Sequence, residues 1–313
     1  MNSIYKPEGY KIDTPENKEH ISSVSSLEYA RSAGLILEGR ASLCDSTHNL
    51  IVDFGDFRGI IPKSEAAYST DGSEIRDIAV ITKVGKPVCF KVKSIDKSGN
   101  TPKVILSRRA AQSECFENCV SKLKSGDIID ARITHIEPFG AFCDIGCGII
   151  ALLPVDCISV SRISNPKERF SAGDKIKAVI KNNDRQTGRI TLTHKELLGS
   201  WEQNAEHFCA GETASGIVRS VEPYGIFVEL TPNLAGLAEW CENVIPGQNA
   251  AVYIKSIIPE KMKIKLVIVD SHFSDSPQKK TEYYISDEHM DFWQYSPEGC
   301  EKEVYTDFSD ESL

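Results

Sequence analysis

A ten-residue pattern occurs twice in this chain of 313 residues. The segment EPFGAFCDIG begins at Glu137, and EPYGIFVELT begins at Glu222. Both contain a proline, an aromatic residue and a glycine in succession, with a phenylalanine two positions after the glycine. Self-similarity inside longer similar segments indicates duplicated structural units. The fold therefore has to be an array of similar domains rather than one large core.

The two repeats extend from Gly126 to about Lys195 and from Gly211 to about Asp270. In each repeat a glycine–acidic pair precedes a first strand-like run, and four further short runs follow, separated by turn residues. Such a pattern predicts a small five-stranded β-barrel. A weaker copy lies upstream, from about Gly34 to Arg109, with His48 and Ile51 at the aromatic positions. The predicted fold class is all-β, with tandem barrels separated by spacer helices.

The segments around the barrels have helical spacing or an acidic composition. The last 43 residues hold eleven acidic residues and three lysines, which accounts for most of the net charge of −9 and leaves the body nearly neutral. A polyanionic partner for the body is therefore not excluded. The tail is predicted either to dock or to stay disordered. The predicted organisation is an N-terminal segment with a short helix (1–33), a degenerate barrel (34–110), a linker helix (111–124), a barrel (125–196), a linker helix (197–210), a barrel (211–270) and the acidic tail (271–313).

Catalytic, metal-binding and membrane signals are absent from the sequence. The spacings Cys115–Cys119 and Cys143–Cys147 are not those of zinc sites, and the seven histidines form no paired-ligand pattern. No apolar run approaches the roughly 18 residues of a membrane span, and the N-terminal residues do not resemble a signal peptide. Cysteines inside apolar runs are typical of a reducing cytosol. We therefore expect a cytoplasmic protein that is not an enzyme and has no cofactor, metal or membrane partner.

The spacing of the two rings in the repeated pattern leaves two structures open. Side chains of a strand alternate between faces, so Phe139 and Phe142, three residues apart, point opposite ways in a regular strand. Either one ring lies in the core, or Gly140 bends the strand and brings both rings to one face. Tyr224 and Phe227 present the same alternative. The second structure would expose two rings per barrel.

Basic residues accompany the rings in both repeats. In KMKIKLV, Lys261, Lys263 and Lys265 alternate with apolar residues, which predicts a strand with one face of lysines. Exposed rings beside cations suit single-stranded nucleic acid, because its bases stack and its phosphates attract positive charge. The second repeat has comparable cations at Lys181, Arg185 and Arg189.

A five-stranded barrel with aromatic–Gly–x–Phe on its second strand and GRITL in its last strand resembles the S1 domain. That domain is the oligonucleotide-binding (OB) fold repeat of bacterial ribosomal protein S1. The resemblance is strong over residues 125–195, good over 211–270 and weak over 34–109. In this family both aromatics of the glycine-containing strand face the ligand, so the resemblance favours exposed rings. It implies an RNA-binding platform of Phe139, Phe142, Asp184 and Arg189 in the second repeat and of Tyr224, Phe227 and Lys263 in the third.

The family also has a histidine after the apolar third strand, and this chain lacks it. Pro62, Pro154 and Glu239 occupy that position in the three repeats. The carboxylate of Glu239 is expected to repel RNA phosphates and to weaken binding by the third repeat.

These features predict a non-catalytic protein that binds single-stranded RNA such as mRNA. The resemblance implies a role in translation or mRNA handling, with the ribosome or its small subunit as a further partner. The alternative is a protein-docking adaptor whose degenerate barrels and acidic, aromatic tail bind a ribosomal or RNA-enzyme partner. The two ring pairs favour RNA, whereas the neutral body and the missing histidines favour the adaptor.

Overall fold

The computed structural model describes residues 4–69, 75–99, 101–184, 187–274 and 281–309. Over these residues three closed five-stranded barrels follow one another along the chain. In each barrel the third strand is hydrogen-bonded to the fifth and the fourth closes the barrel against the first. The predicted fold class, tandem OB barrels with spacer helices, is confirmed.

The strands have the same order in the three barrels, but their lengths differ. The second strand has 4 residues in the first barrel and 7 in the other two, and the fifth strand has 5 residues in the first two barrels and 10 in the third. The first barrel consists of β1 (Leu37–Cys44), β2 (Leu50–Asp53), β3 (Arg58–Ile61), β4 (Pro87–Asp96) and β5 (Lys103–Ser107). The second consists of β6 (Ile128–Glu137), β7 (Gly140–Gly146), β8 (Ile149–Pro154), β9 (Lys175–Asp184) and β10 (Arg189–Thr193). The third consists of β11 (Thr213–Glu222), β12 (Gly225–Thr231), β13 (Leu234–Ala238), β14 (Asn249–Ile258) and β15 (Lys263–His272). A separate two-stranded sheet contains β16 (Phe292–Gln294) and β17 (Tyr305–Asp307).

Among the described residues, five short α-helices lie before, within and between the barrels. They are α1 (Pro15–Ile21), α2 (Val24–Ser32), α3 (Asp77–Ile81), α4 (Arg108–Asn118) and α5 (Trp201–Ala205). The N-terminal segment thus holds two helices where one was predicted. The second linker helix is shorter than predicted because Gly199, at φ 82°, separates a 3-10 turn (Lys195–Leu198) from α5. In the described parts of the chain, no helix is long and apolar enough to cross a membrane.

Each barrel has its own apolar interior, built by alternation along the strands. In β14, for example, Ala250, Val252 and Ile254 are buried, and the residues between them face outward or are half-buried. This is the periodicity of two expected of a strand with one buried face. The domain boundaries drawn from the sequence remain a prediction.

The N-terminal segment joins the first barrel to the second through a buried ion pair. The Glu8 carboxylate accepts hydrogen bonds from Arg108 Nε (2.6 Å) and Nη2 (3.1 Å), at the start of α4. The Glu8 backbone N–H donates to Asp144 Oδ2 of β7 at 2.7 Å. Burial alone would raise the pKa of Glu8, but the cations of Arg108 and Lys83 lower it to about 2. Glu8 is therefore charged and links both barrels.

The described part of the acidic tail docks onto the body. Trp293 and Tyr295 are buried in the same apolar cluster as the core of the third barrel. The Tyr295 hydroxyl donates to the backbone oxygen of Asn233 at 2.6 Å. Met290 N donates to Gly126 O at 3.0 Å, which ties the tail to the second barrel as well. The tail therefore covers the junction between these two barrels.

Candidate nucleic-acid interface

Two ring pairs with nearly the same geometry lie on the outside of the second and third barrels. Phe139 is 56% exposed and Phe142 half-buried, with ring centroids 6.1 Å apart and planes at 90°. Tyr224 is 69% exposed and Phe227 half-buried, with centroids 6.2 Å apart and planes at 87°. None of these four rings belongs to a barrel core. The structure thus brings both members of each pair to one outer surface.

A hairpin turn, rather than a bend within a strand, produces this arrangement. Glu137 at the end of β6 pairs with Gly140 at the start of β7, so Pro138 and Phe139 form a two-residue turn. Phe139 therefore projects from the tip of the hairpin. Only Phe142 lies in a strand, so the alternation of side chains between the two faces of a strand applies to Phe142 alone. The expectation of a glycine-bent strand was wrong in this respect. The third barrel repeats the turn, with Glu222 paired to Gly225.

Glycine is required at the position after each turn because the third strand passes close to it. A Cβ on Gly140 would lie 2.7 Å from the backbone oxygen of Leu153. A Cβ on Gly225, at φ 148°, would lie 2.6 Å from the backbone oxygen of Ala238. Real Cβ atoms do not approach so closely, and positive φ also favours glycine. The glycine of the repeated pattern thus permits the close hairpin that presents the rings.

Cations lie on the last strand of both barrels. Arg189 is exposed and pairs in register with Asp184, whose Oδ2 accepts a hydrogen bond from Thr187 Oγ1 at 2.6 Å. In the third barrel Lys263 pairs with Ile258. Lys263 therefore stands where the second barrel has arginine, and an isoleucine replaces the carboxylate.

The lysine strand of the third barrel is shorter than the alternation predicted. Lys263 and Lys265 are exposed on β15. Lys261 instead lies in the 3-10 turn Pro259–Lys261, and Met262 has φ 47°, which breaks the strand before Lys263. The Lys261 Nζ is 3.8 Å from a carboxylate oxygen of Glu301 in the tail. A further predicted cation, Arg185, lies outside the described residues.

Residues 122–195 match the family model of the S1 RNA binding domain. The match covers all five strands of the second barrel, which is therefore similar to an S1 domain and is called the S1 domain below. The chain is also 33% identical over 264 residues to the small ribosomal subunit protein bS1 of Staphylococcus aureus strain COL, covering 77% of this chain and 64% of that protein. It is 29% identical to the bS1 homolog of Bacillus cereus, covering 79% of this chain and 64% of that one. The chain thus spans less than two thirds of these relatives' length.

A solved multidomain protein with nucleic acid binding domains from Streptococcus pneumoniae is 14% identical to this chain. The match covers 76% of this chain and 74% of the other, with a TM-score of 0.26.

Neither the S1 family nor the bS1 relatives are named for an enzymatic activity. In the described ranges, no group of three or more His, Cys, Asp or Glu side chains could hold a metal ion.

The second ring of the S1 domain belongs to a row of outward residues that crosses the sheet, which we call the outer row. Strand pairing places an equivalent row in each barrel, and none of its members is buried. In the S1 domain the row contains His135, Phe142, Leu152, Thr191 and Asn182. In the third barrel it contains Ser220, Phe227, Leu237, Lys265 and Ser256. In the first barrel it contains Leu43, Ile51, Ile60, Ile105 and Ser94.

One lysine occurs at a β-bulge in the fourth strand of every barrel: Lys93 in the first, Lys181 in the S1 domain and Lys255 in the third. Sequence reasoning did not recognise this lysine as a repeated feature. In the first barrel Nζ of this lysine is 2.5 Å from Glu65 Oε1, and in the third it is 3.1 Å from Glu239 Oε1. In the S1 domain it contacts the Cys157 sulfur at 3.3 Å. The repeat was detectable in the sequence, because an aliphatic residue, a lysine and a small polar residue occur in succession at 92–94 (VKS), 180–182 (IKN) and 254–256 (IKS). We call these three residues, Lys93, Lys181 and Lys255, the bulge lysines.

The bulge lysines change the electrostatics expected at the candidate RNA-binding surface. Glu239, expected to repel RNA, is paired with Lys255. In the S1 domain burial would lower the pKa of Lys181, but Cys157 and Asp156 raise it above its ordinary value. Lys181 is therefore cationic at neutral pH. Only in the S1 domain does the bulge lysine contact a thiol rather than a carboxylate among the described residues.

Proposed function

We propose that this protein is a non-catalytic single-stranded RNA-binding protein that acts in translation. Its partners are mRNA and, as the names of its bS1 relatives suggest, the small ribosomal subunit, so it would act in the cytoplasm. The observation that supports the proposal most is the repeated ring pair, presented by the same hairpin in two barrels. The match of the second barrel to the S1 RNA binding domain supports it independently.

The ring geometry fits unpaired bases. A base that stacks on an aromatic side chain contributes about 1–3 kcal/mol of binding free energy, with little dependence on sequence. Phe139 and Phe142 stand at right angles, so one base cannot stack on both faces. Two successive bases would have to turn relative to each other at the hairpin. A single strand can do this, whereas a stacked duplex cannot.

Binding of single-stranded RNA also requires cations that neutralise the phosphate backbone, and both barrels have them. Arg189 in the S1 domain and Lys263 at the same position of the third barrel lie at the start of the last strand. Lys265 follows in the outer row next to Leu237, itself the neighbour of Phe227. Each ring pair thus has at least one exposed cation on a nearby strand.

Replacement of Arg189 tests the proposal through its salt dependence. Arg189→Ala in the full chain is expected to weaken binding of a short oligouridine. It should also reduce the steepness of log K against log salt concentration by about 0.7, the value for one phosphate contact with a single strand. Fluorescence anisotropy titrations at several salt concentrations measure both quantities.

Arg58→Ala is the matched control, because Arg58 is an exposed arginine of the first barrel, at the start of β3. It should leave the slope unchanged. If the unmodified chain does not bind oligouridine even at low salt, the proposed function is wrong. An unchanged slope for Arg189→Ala would remove only Arg189 from the interface.

A second role, contact with a protein, is favoured by the first barrel. Its outer row presents Ile51 where the other two barrels have a phenylalanine. The neighbours of Ile51 in the row are also aliphatic, namely Leu43, Ile60 and Ile105, and Leu43 is 50% exposed. Aliphatic side chains offer no π-face to a base, and contiguous exposed apolar residues mark protein contacts. The first barrel would then bind a protein of the small ribosomal subunit while the other two bind RNA.

Leu43→Glu is expected to reduce co-sedimentation of the full chain with purified small ribosomal subunits, because it places a charge in the apolar row. Its affinity for oligouridine should not change. Ile78→Glu, at an exposed isoleucine of α3 outside the row, is the control. A matching loss of oligouridine affinity in Leu43→Glu would show instead that the first barrel is part of the RNA surface.

A further inference from the structure

The first strand of the S1 domain places a third ring beside the ring pair. His135 of β6 lies directly opposite Phe142 of β7. The ring centroids are 6.3 Å apart and the planes are inclined by 23°, which is within the range of offset stacking. His135 Nε2 is 2.7 Å from Glu137 Oε1, so one edge of the imidazole is fixed. The side chain nevertheless remains 65% exposed.

This ring has no counterpart in the other two barrels. The residue opposite Phe227 is Ser220, and the residue opposite Ile51 is Leu43. The histidine that S1 domains carry after the third strand is also missing from the second barrel, where Pro154 occupies that position. His135 therefore adds a third ring next to Phe139 and Phe142. This ring lies on the first strand of the barrel, whereas the missing histidine would follow the third strand.

We infer that His135 is a third base-stacking residue of the S1 domain, and that RNA extends from Phe142 toward β6 rather than toward β8. The neighbour of Phe142 on β8 is Leu152, which has no ring, whereas the neighbour on β6 is an exposed, nearly parallel imidazole. The S1 domain would then have three stacking rings and the third barrel two, which makes the S1 domain the principal RNA contact of the chain. The inference rests on the proposed function and assigns a further residue to it.

Three substitutions in the full chain separate stacking from other roles of His135. His135→Ala is expected to weaken binding of a fluorescein-labelled oligouridine of about 12 nucleotides by about 5- to 10-fold, the lower part of the range for one stacked base. His135→Phe keeps a ring and should bind within about 2-fold of the unmodified chain. The control is His272→Ala, because His272 is equally exposed and also lies beside a carboxylate two residues away, that of Asp270.

A double substitution distinguishes direct contact from positioning of Phe142. If His135 stacks on its own base, His135→Ala should still weaken binding when position 142 is Ala, by a factor that the contact between the two rings makes different from that in the Phe142 background. If His135→Ala has no effect in the Phe142→Ala background, His135 acts only through Phe142 and the inference is overturned. Melting temperatures of the single variants should match that of the unmodified chain, since His135 is exposed.

The remaining outcomes are also decisive. Unchanged affinity in His135→Ala, together with weakened binding in Phe142→Ala, would overturn this inference and leave the proposed function standing. Equal weakening in His135→Ala and His135→Phe would show that the imidazole contributes a polar contact instead of a stacking face, which also contradicts it. If the unmodified chain does not bind oligouridine at all, the proposed function fails, and this inference fails with it.

Discussion

Removal of the ring pair Phe139 and Phe142 of the S1 domain is expected to cause a large loss of RNA affinity. Phe139→Ala together with Phe142→Ala should weaken binding of oligouridine by about 2–6 kcal/mol, because each stacked base contributes about 1–3 kcal/mol. Neither ring belongs to a core, so the free energy of unfolding should change by less than about 1 kcal/mol. Anisotropy titration and urea unfolding of the same preparation measure the two quantities.

The tail offers a matched control for this experiment. Phe292 and Tyr305 are also two exposed rings in contact, with centroids 5.5 Å apart, but they lie on the β16–β17 sheet. Their joint replacement by Ala should leave RNA affinity unchanged. A loss of several kcal/mol of stability in the Phe139/Phe142 variant with unchanged affinity would mean that these rings serve the fold and do not bind RNA.

The barrels could be predicted from the sequence because their signals are local. Alternation of apolar residues, glycine turns and the repeated hairpin pattern all lie within a few residues of one another. The position of the first ring was misjudged because it depends on strand register. Once Glu137 is paired with Gly140, Phe139 lies in the turn and no bend is needed. Pro–aromatic–Gly between two strand-like runs is itself a turn signal, so this part was recoverable from the sequence.

His135 could not have been identified in the same way. Its importance depends on which residue lies opposite it across the strand pair and on the exposure of both. The sequence contains seven histidines, and nothing local distinguishes this one. Only the strand register shows that His135 lies opposite Phe142, a ring proposed to stack on a base.

Contacts distant in the sequence also explain why the aromatic residues of the tail are buried and why the segment DIGCG (144–148) ends in glycine. The aromatic residues of the tail carry no periodicity, yet Trp293 and Tyr295 are buried because α5 and the third barrel provide a complementary surface. A Cβ on Gly148, at φ 80°, would lie 1.9 Å from Arg108 Nη2. This glycine therefore leaves room for an arginine forty residues earlier in the chain, which no local pattern reveals.

Arg108→Ala is expected to lower the free energy of unfolding by about 3–5 kcal/mol, the usual cost of leaving one partner of a buried ion pair uncompensated. The Arg108 side chain is only 3% exposed and makes a bidentate contact with Glu8. It also donates to the backbone oxygen of Ala66 at 3.1 Å. Without it the charge of Glu8 stays buried between two barrels, with Lys83 as its remaining cationic partner among the described residues. Urea unfolding followed by circular dichroism measures the change.

The next residue in the chain supplies the control. The Arg109 side chain is 54% exposed and lies 3.3 Å from Glu65, so Arg109→Ala should cost no more than about 1 kcal/mol. Replacing both partners, with Glu8→Gln and Arg108→Met, should recover much of the loss because the two most deeply buried charges of the cluster are removed together. If Arg108→Ala is no more harmful than Arg109→Ala, the ion pair does not hold the first barrel against the S1 domain.

The RNA affinity of Arg108→Ala should be compared with that of the unmodified chain under conditions in which both are folded. Since the rings of the S1 domain lie outside this junction, their contribution to binding should survive any loosening of the first barrel.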